Sequence, residues 1–222
     1  MSRHVPVVVA LCVVASLLAF RVHRATATPE RGVTADERAA TLRFDPTVAA
    51  GDRQWILGAI ATARPEAQRL IGEIDGTVIV DTKLNTPAGI MSPGGQAIGL
   101  AEPAGDHVNV SLDARELDGE RAIDRPMVVL HELGHVIDFD LLDDTLRQQL
   151  DATIPPSREC NGPSDGLGGC TAVAERFADT FAKWALRGRF SLAGSGYGIP
   201  TPPSLEDWGM PLGRLAIQLD QR

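Results

Sequence analysis

Apolar residues along this chain follow three rhythms. One has no period at all: Val5–Phe20 (VPVVVALCVVASLLAF) is apolar on every side. A second has period two. In His107–Leu112 (HVNVSL), Val108, Val110 and Leu112 share one face and His107, Asn109 and Ser111 the other, which predicts a half-buried strand. Gly76–Asp81 (GTVIVD) is short and β-branched and predicts a buried strand. Gln96–Ala101 (QAIGLA) predicts a third strand, the candidate sheet edge, where an extended substrate can pair. Asn85–Gly95 reads as loop and Glu102–Asp106 as turn.

The third rhythm is helical. Thr34 with Glu37 resembles a capping box opening a short helix to about Arg43. Asp45-Pro46 starts another that runs to Ala63, with Val48, Trp55, Ile56, Ala59 and Ile60 as its stripe, and Pro65 begins a further turn. Met127, Leu130, Leu133, Val136, Ile137 and Leu141 mark a half-buried helix, with Asp124 as its N-cap and Pro126 in its first turn. Asp143–Ile154 is helical until Pro155-Pro156 stops it. Thr171–Arg187 is strongly helical, with Val173, Phe177, Phe181 and Trp184 as its buried stripe and Gly188 as its C-cap. A last helix covers about Leu212–Leu219. The pattern predicts an α+β fold. A small twisted sheet packs on the 127–142 helix, and a mainly helical part follows.

The unbroken run changes the domain picture. Preceded by Arg3 and followed by Ala25-Thr26-Ala27, it reads as an export signal with an A-x-A cleavage site. Sixteen helical residues span about 24 Å, short of a hydrocarbon core of roughly 30 Å. Arg21, His23 and Arg24 are unusual before a cleavage site and keep an N-terminal membrane anchor as the alternative. Residues 1–27 are therefore signal or anchor, 28–33 a linker and 34–222 the folded domain, with a secreted or extracytoplasmic location. The chain carries a net charge of −8. The leader contributes three arginines and no acid, so the remainder is more acidic still. That balance argues against nucleic acid and anionic membranes as partners. Of three cysteines, Cys12 lies in the leader. In an exported protein Cys160 and Cys170, across the flexible Asn161–Gly169, read as a disulfide.

The chemistry centres on His131-Glu132-Leu133-Gly134-His135, an HExxH sequence. Residues four apart on a helix lie one turn up on the same face. His131 and His135 can therefore direct two imidazoles at one ion, with Glu132 beside it as a general base. A catalytic zinc ion takes three protein ligands and keeps a position for water. Glu175, on the next strong helix, is the best third ligand. Asp179 follows at i+4, placed to orient a metal-bound imidazole. Asp138 competes, but it lies on the continuous helix above the ion. His107 sits on the polar face of a strand, where a solvated ring is the ordinary state.

HExxH followed some forty residues later by E-x-x-x-D is similar to the pattern of the gluzincin metallopeptidases. His131–Asp138 (HELGHVID) with Glu175–Phe181 (ERFADTF) resembles the catalytic domain of anthrax lethal factor and its relatives. The resemblance covers roughly Asp124–Leu186. It implies zinc on His131, His135 and Glu175, Glu132 as base and Asp179 behind a ligand. Those relatives carry a tyrosine shortly before the glutamate ligand. Gly162–Ala174 has none, and the chain's single tyrosine is Tyr197, the candidate oxyanion donor. The expectation is a secreted zinc endopeptidase acting on peptide or protein. The alternatives are a weak or inactive zinc scaffold used for binding, and a zinc amidase acting on cell-wall peptides.

Overall fold

The computed structural model describes residues 42–84, 91–92, 95–96, 98–114, 117, 124–156, 173–189 and 199–222. The leader, the linker, most of the first expected helix, Cys160, Cys170 and Tyr197 lie outside the described residues. Arg43, expected to end that helix, instead opens strand β1 (Arg43–Phe44).

The fold is α+β. Among the described residues six helices accompany a four-stranded mixed sheet: α1 (Ala50–Ala61), α2 (Pro65–Ile74), α3 (Arg125–Leu141), α4 (Asp144–Ala152), α5 (Val173–Ala185) and α6 (Leu205–Asp220). After β1 come β2 (Val78–Asp81), β3 (Met91–Ser92), β4 (Gly95–Gln96), β5 (Gly99–Ala104) and β6 (His107–Leu112). Sheet order is β1-β2-β6-β5, with β1, β2 and β6 parallel and β5 antiparallel to β6 at one edge. The strand expected at Gln96–Ala101 is displaced. Gln96 belongs to a separate two-stranded hairpin, β3 with β4, where a loop was expected. β5 runs on through Pro103 to Ala104. The turn shrinks to Gly105-Asp106, with Gly105 at φ +73°. An edge strand tolerates Pro103 because one of its faces needs no ladder donor.

Local chemistry explains the helix starts. The Asp124 carboxylate accepts from Met127 N, Asp143 from Leu146 N and Ser204 from Asp207 N, each supplying a partner for a first-turn amide. α2 is a full helix where only a turn was expected, and α6 starts well before Leu212. Gly209 and Pro211 disguise α6. Gly209 is required by contact: a Cβ there would lie 1.9 Å from Trp184 Nε1. That close packing offsets the roughly 1 kcal/mol by which glycine weakens a helix.

One hydrophobic cluster runs from Leu42 to Ala216, with Trp184, Phe177, Phe181, Leu130 and Leu133 among its fully buried members. Each such side chain contributes about 1.5–3 kcal/mol on burial. Val173, expected in the α5 stripe, is exposed at the helix start. α3 packs chiefly on α5 and also touches α1, α2, β5 and β6, so the HExxH helix lies at the centre of the molecule. No helix among the described residues is long and apolar enough to cross a membrane.

Candidate metal centre

α3 and α5 meet at Gly134. A Cβ there would stand 3.1 Å from Ala178 Cα and 3.3 Å from Ala178 O. This close approach brings the first turn of α5 against the two histidines. His131 Nε2 donates to Glu175 Oε2 at 3.2 Å, and His135 Nε2 lies 3.4 Å from Glu175 Oε1. The two rings are nearly perpendicular, 4.9 Å between centroids, and Phe139 stacks on His135. One donor atom from each of His131, His135 and Glu175 falls within 4.8 Å of the others. This buried His/His/Glu group can hold a metal ion, and it includes Glu175, the residue expected as third ligand.

The electrostatics fit a cation. Burial works against a charged His131, but the hydrogen bond to Glu175 and the charges of Glu132, Glu175 and Asp179 outweigh it, lifting its pKa to about 9. Burial also works against the Glu175 carboxylate. Its hydrogen bonds to both histidines, and their charges, hold it well below the usual carboxylate range. His135 Nδ1 is buried with no hydrogen-bond partner among the described residues.

Glu132 is 6 % exposed. Burial raises its pKa, the two histidines oppose that rise and Glu175 adds to it. It lies against β5, where a Cβ on Gly99 would come within 2.3 Å of Glu132 Oε1. The Glu132 side chain therefore stands between the metal-ligand helix and β5, the edge strand among the described residues.

Asp179, expected to orient an imidazole, is fully buried and pairs with Lys183, Nζ to Oδ2 at 2.5 Å. It acts on His131 through its charge. Lys183 also donates to the carbonyl of Ile199. Asp138 is not in the metal group. It is 2 % exposed and faces Arg147, whose Nε reaches Asp138 Oδ1 at 2.5 Å and whose Nη2 reaches Asp138 O at 2.6 Å. Asp140 accepts from Thr77 Oγ1 at 3.3 Å. His107 pairs with its neighbour Asp106, 3.0 Å away, outside the metal group.

Four residues escaped the sequence reading. Gly99 and Gly134 carry a recognisable signal, a glycine inside a regular element, which marks close approach of another group. Lys183 sits at i+4 from Asp179 within an apolar stripe. Arg176 ties the end of α4 to α5 beside Glu175, through Asp151 Oδ1 at 2.7 Å and the Ile154 carbonyl at 2.8 Å. Nothing local announces that last contact.

Fold and site together define an α+β protein with a buried two-histidine, one-glutamate group and an acid beside it. Comparison of the chain with protein-family models and with curated proteins returned no match.

Proposed function

We propose that the protein is a zinc-dependent endopeptidase of gluzincin type, working outside the cytoplasm. The observation that carries the reading is the convergence of His131, His135 and Glu175 donor atoms with Glu132 alongside. Two imidazole nitrogens and a carboxylate oxygen suit zinc and leave room for further ligands. A zinc ion held there supplies Lewis acidity, making water a nucleophile near neutral pH and polarising a carbonyl.

The chain's own groups do the rest. Glu132, its proton affinity raised by burial, accepts a proton from the attacking water at its carboxylate and returns it to the leaving amine. The outer edge of β5 offers main-chain groups to an extended peptide beside that carboxylate. Glu175 holds the two imidazoles at a fixed separation before any metal arrives.

A catalytically silent zinc scaffold is the second reading. It draws on His135 Nδ1, which among the described residues has no acceptor of the kind that usually orients a metal-bound ring. One experiment separates the two. The protein and its Glu132→Gln variant are analysed for zinc by native mass spectrometry and incubated with a peptide library and with cell-wall peptides. The peptidase reading expects one zinc ion in both and cleavage of library peptides by the unmodified protein alone. Zinc in both with no cleavage by either selects the scaffold, and cleavage confined to cell-wall peptides selects an amidase.

A further inference from the structure

We propose that Gly99 is a positioning residue for Glu132: the bare backbone of the edge strand leaves the volume in which the carboxylate stands beside the metal group. The inference rests on the peptidase reading for its catalytic consequence, and on packing for everything else.

The contact involves more than the tip of a flexible side chain. A Cβ at position 99 would lie 2.3 Å from Glu132 Oε1 and 2.7 Å from both Cδ and Cγ. Distances under 3 Å to three successive atoms cannot be relieved by turning the carboxylate about its last bond. The whole side chain beyond Cβ has to leave its place. Glu132 is buried, so its alternatives are poor. On one side β5 is held by the β6 ladder, in which Gly99 pairs with Leu112. On the other, α3 is fixed by its packing on α5. Two rigid elements thus confine the base between them. The backbone conformation at 99 is not what selects glycine, since the residue lies in regular strand. The selecting factor is the space taken by the Glu132 side chain.

A methyl group at 99 therefore displaces the base and spares the ligands. The three nearest atoms that a Cβ at 99 would meet all belong to Glu132, and none to His131, His135 or Glu175. Correct placement of a general base contributes about 10²–10⁴-fold in rate, and loss of that placement is the expected effect.

The test is a double-mutant cycle on the full chain: wild type, Gly99→Ala, Glu132→Gln and the double variant, with a parallel thermal cycle using Glu132→Ala. Gly99→Ala is expected to retain one zinc ion and lose at least about 100-fold in kcat, with KM little changed. In the Glu132→Gln background the same substitution should change residual turnover less than threefold, because no base remains to displace. Melting temperature should drop a few degrees for Gly99→Ala alone. It should be unchanged or raised when alanine at 132 vacates the space. Wild-type-like kcat in Gly99→Ala, or equal losses in both backgrounds, overturns the proposal. If the wild type hydrolyses nothing, the peptidase reading fails on its own. The thermal cycle then decides the positional claim: coupling between 99 and 132 supports it, and equal penalties in both backgrounds overturn it.

Discussion

In the metal-free protein, Glu175→Gln tests whether the three ligands are already assembled. The pKa of His131 stands at about 9 against an ordinary 6.5. Each unit is worth about 1.4 kcal/mol, so its surroundings favour the imidazolium by about 3 kcal/mol. Burial alone would push the other way, and the hydrogen bond to Glu175 is the largest opposing contribution. A neutral amide at 175 removes that charge and leaves the burial. The expected result is a fall in the His131 pKa to near or below 6.5, read from the imidazole Cε1–H shift in an NMR titration. Stability follows the same sign. A pKa raised on folding stabilises fully below 6.5, and that stabilisation fades as pH climbs to about 9. Glu175 is shifted downwards, so its contribution is present above 4.5 and fades below it. The two shifts describe one pair and are not added. Metal-free wild type should thus lose about 3 kcal/mol between pH 6.5 and 9 in urea titrations, whereas Glu175→Gln should be nearly flat there. A wild-type His131 titrating near 6.5, or the same pKa in both proteins, would refute the assembled site.

Zinc has to displace the His131 proton, so uptake near pH 7 should release about one proton and the calorimetric enthalpy should track the buffer's ionisation enthalpy; independence from the buffer would count against His131 as a ligand. Gly134→Ala gains about 1 kcal/mol of helix propensity but overpacks α3 against α5 at a cost of about 1–3 kcal/mol. Net stability should fall by about 0–2 kcal/mol and zinc affinity with it, because α5 carries Glu175; greater stability with unchanged affinity would show that the helices have room. Arg147→Met leaves the buried Asp138 carboxylate without its cation and should destabilise by about 3–5 kcal/mol. Asp138→Asn added to it should recover part of that loss in the same denaturant assay.

What the sequence made legible was local. Two histidines four apart on an amphipathic stretch, with Asp124 before it, define a helix and one face of it, and nothing further away can alter that geometry. Glu175 was legible as an acid on the next strong helix, with Asp179 following at i+4 on the same face. His107–Leu112 was read with both ends in place, Gly76–Asp81 with its start two residues early, and Gln96–Ala101 with both ends misplaced. Gly99 begins β5 where Gln96 was expected, since a run such as QAIGLAEPA has no sharp alternation to fix its register. α6 was half hidden because Gly209 and Pro211 carry breaker chemistry, and only the presence of Trp184 across the interface explains the glycine. Asp138 was weighed as a ligand and Asp179 as a partner of a metal-bound imidazole; the cations they pair with are Arg147 and Lys183. Which buried acid meets which base depends on the packing of α3, α4 and α5, and no single segment encodes it.

Those pairings bear on what the core of the protein will accept. Glu132, Glu175 and Asp179 are three acids close enough to His131 to act on its charge, and Lys183 is the ammonium paired within the group. Taken as ionised, three carboxylates and one ammonium leave two negative charges in a region where unbalanced charge is expensive. Without metal, a proton on His131 offsets one of them, and burial raises the proton affinity of Glu132 and Asp179 against the rest. A divalent cation in place of the His131 proton offsets both. A preference for a dication would therefore arise from the pairing of α3 with α5 as much as from the three donor atoms. Lys183, paired with Asp179, shares in setting it.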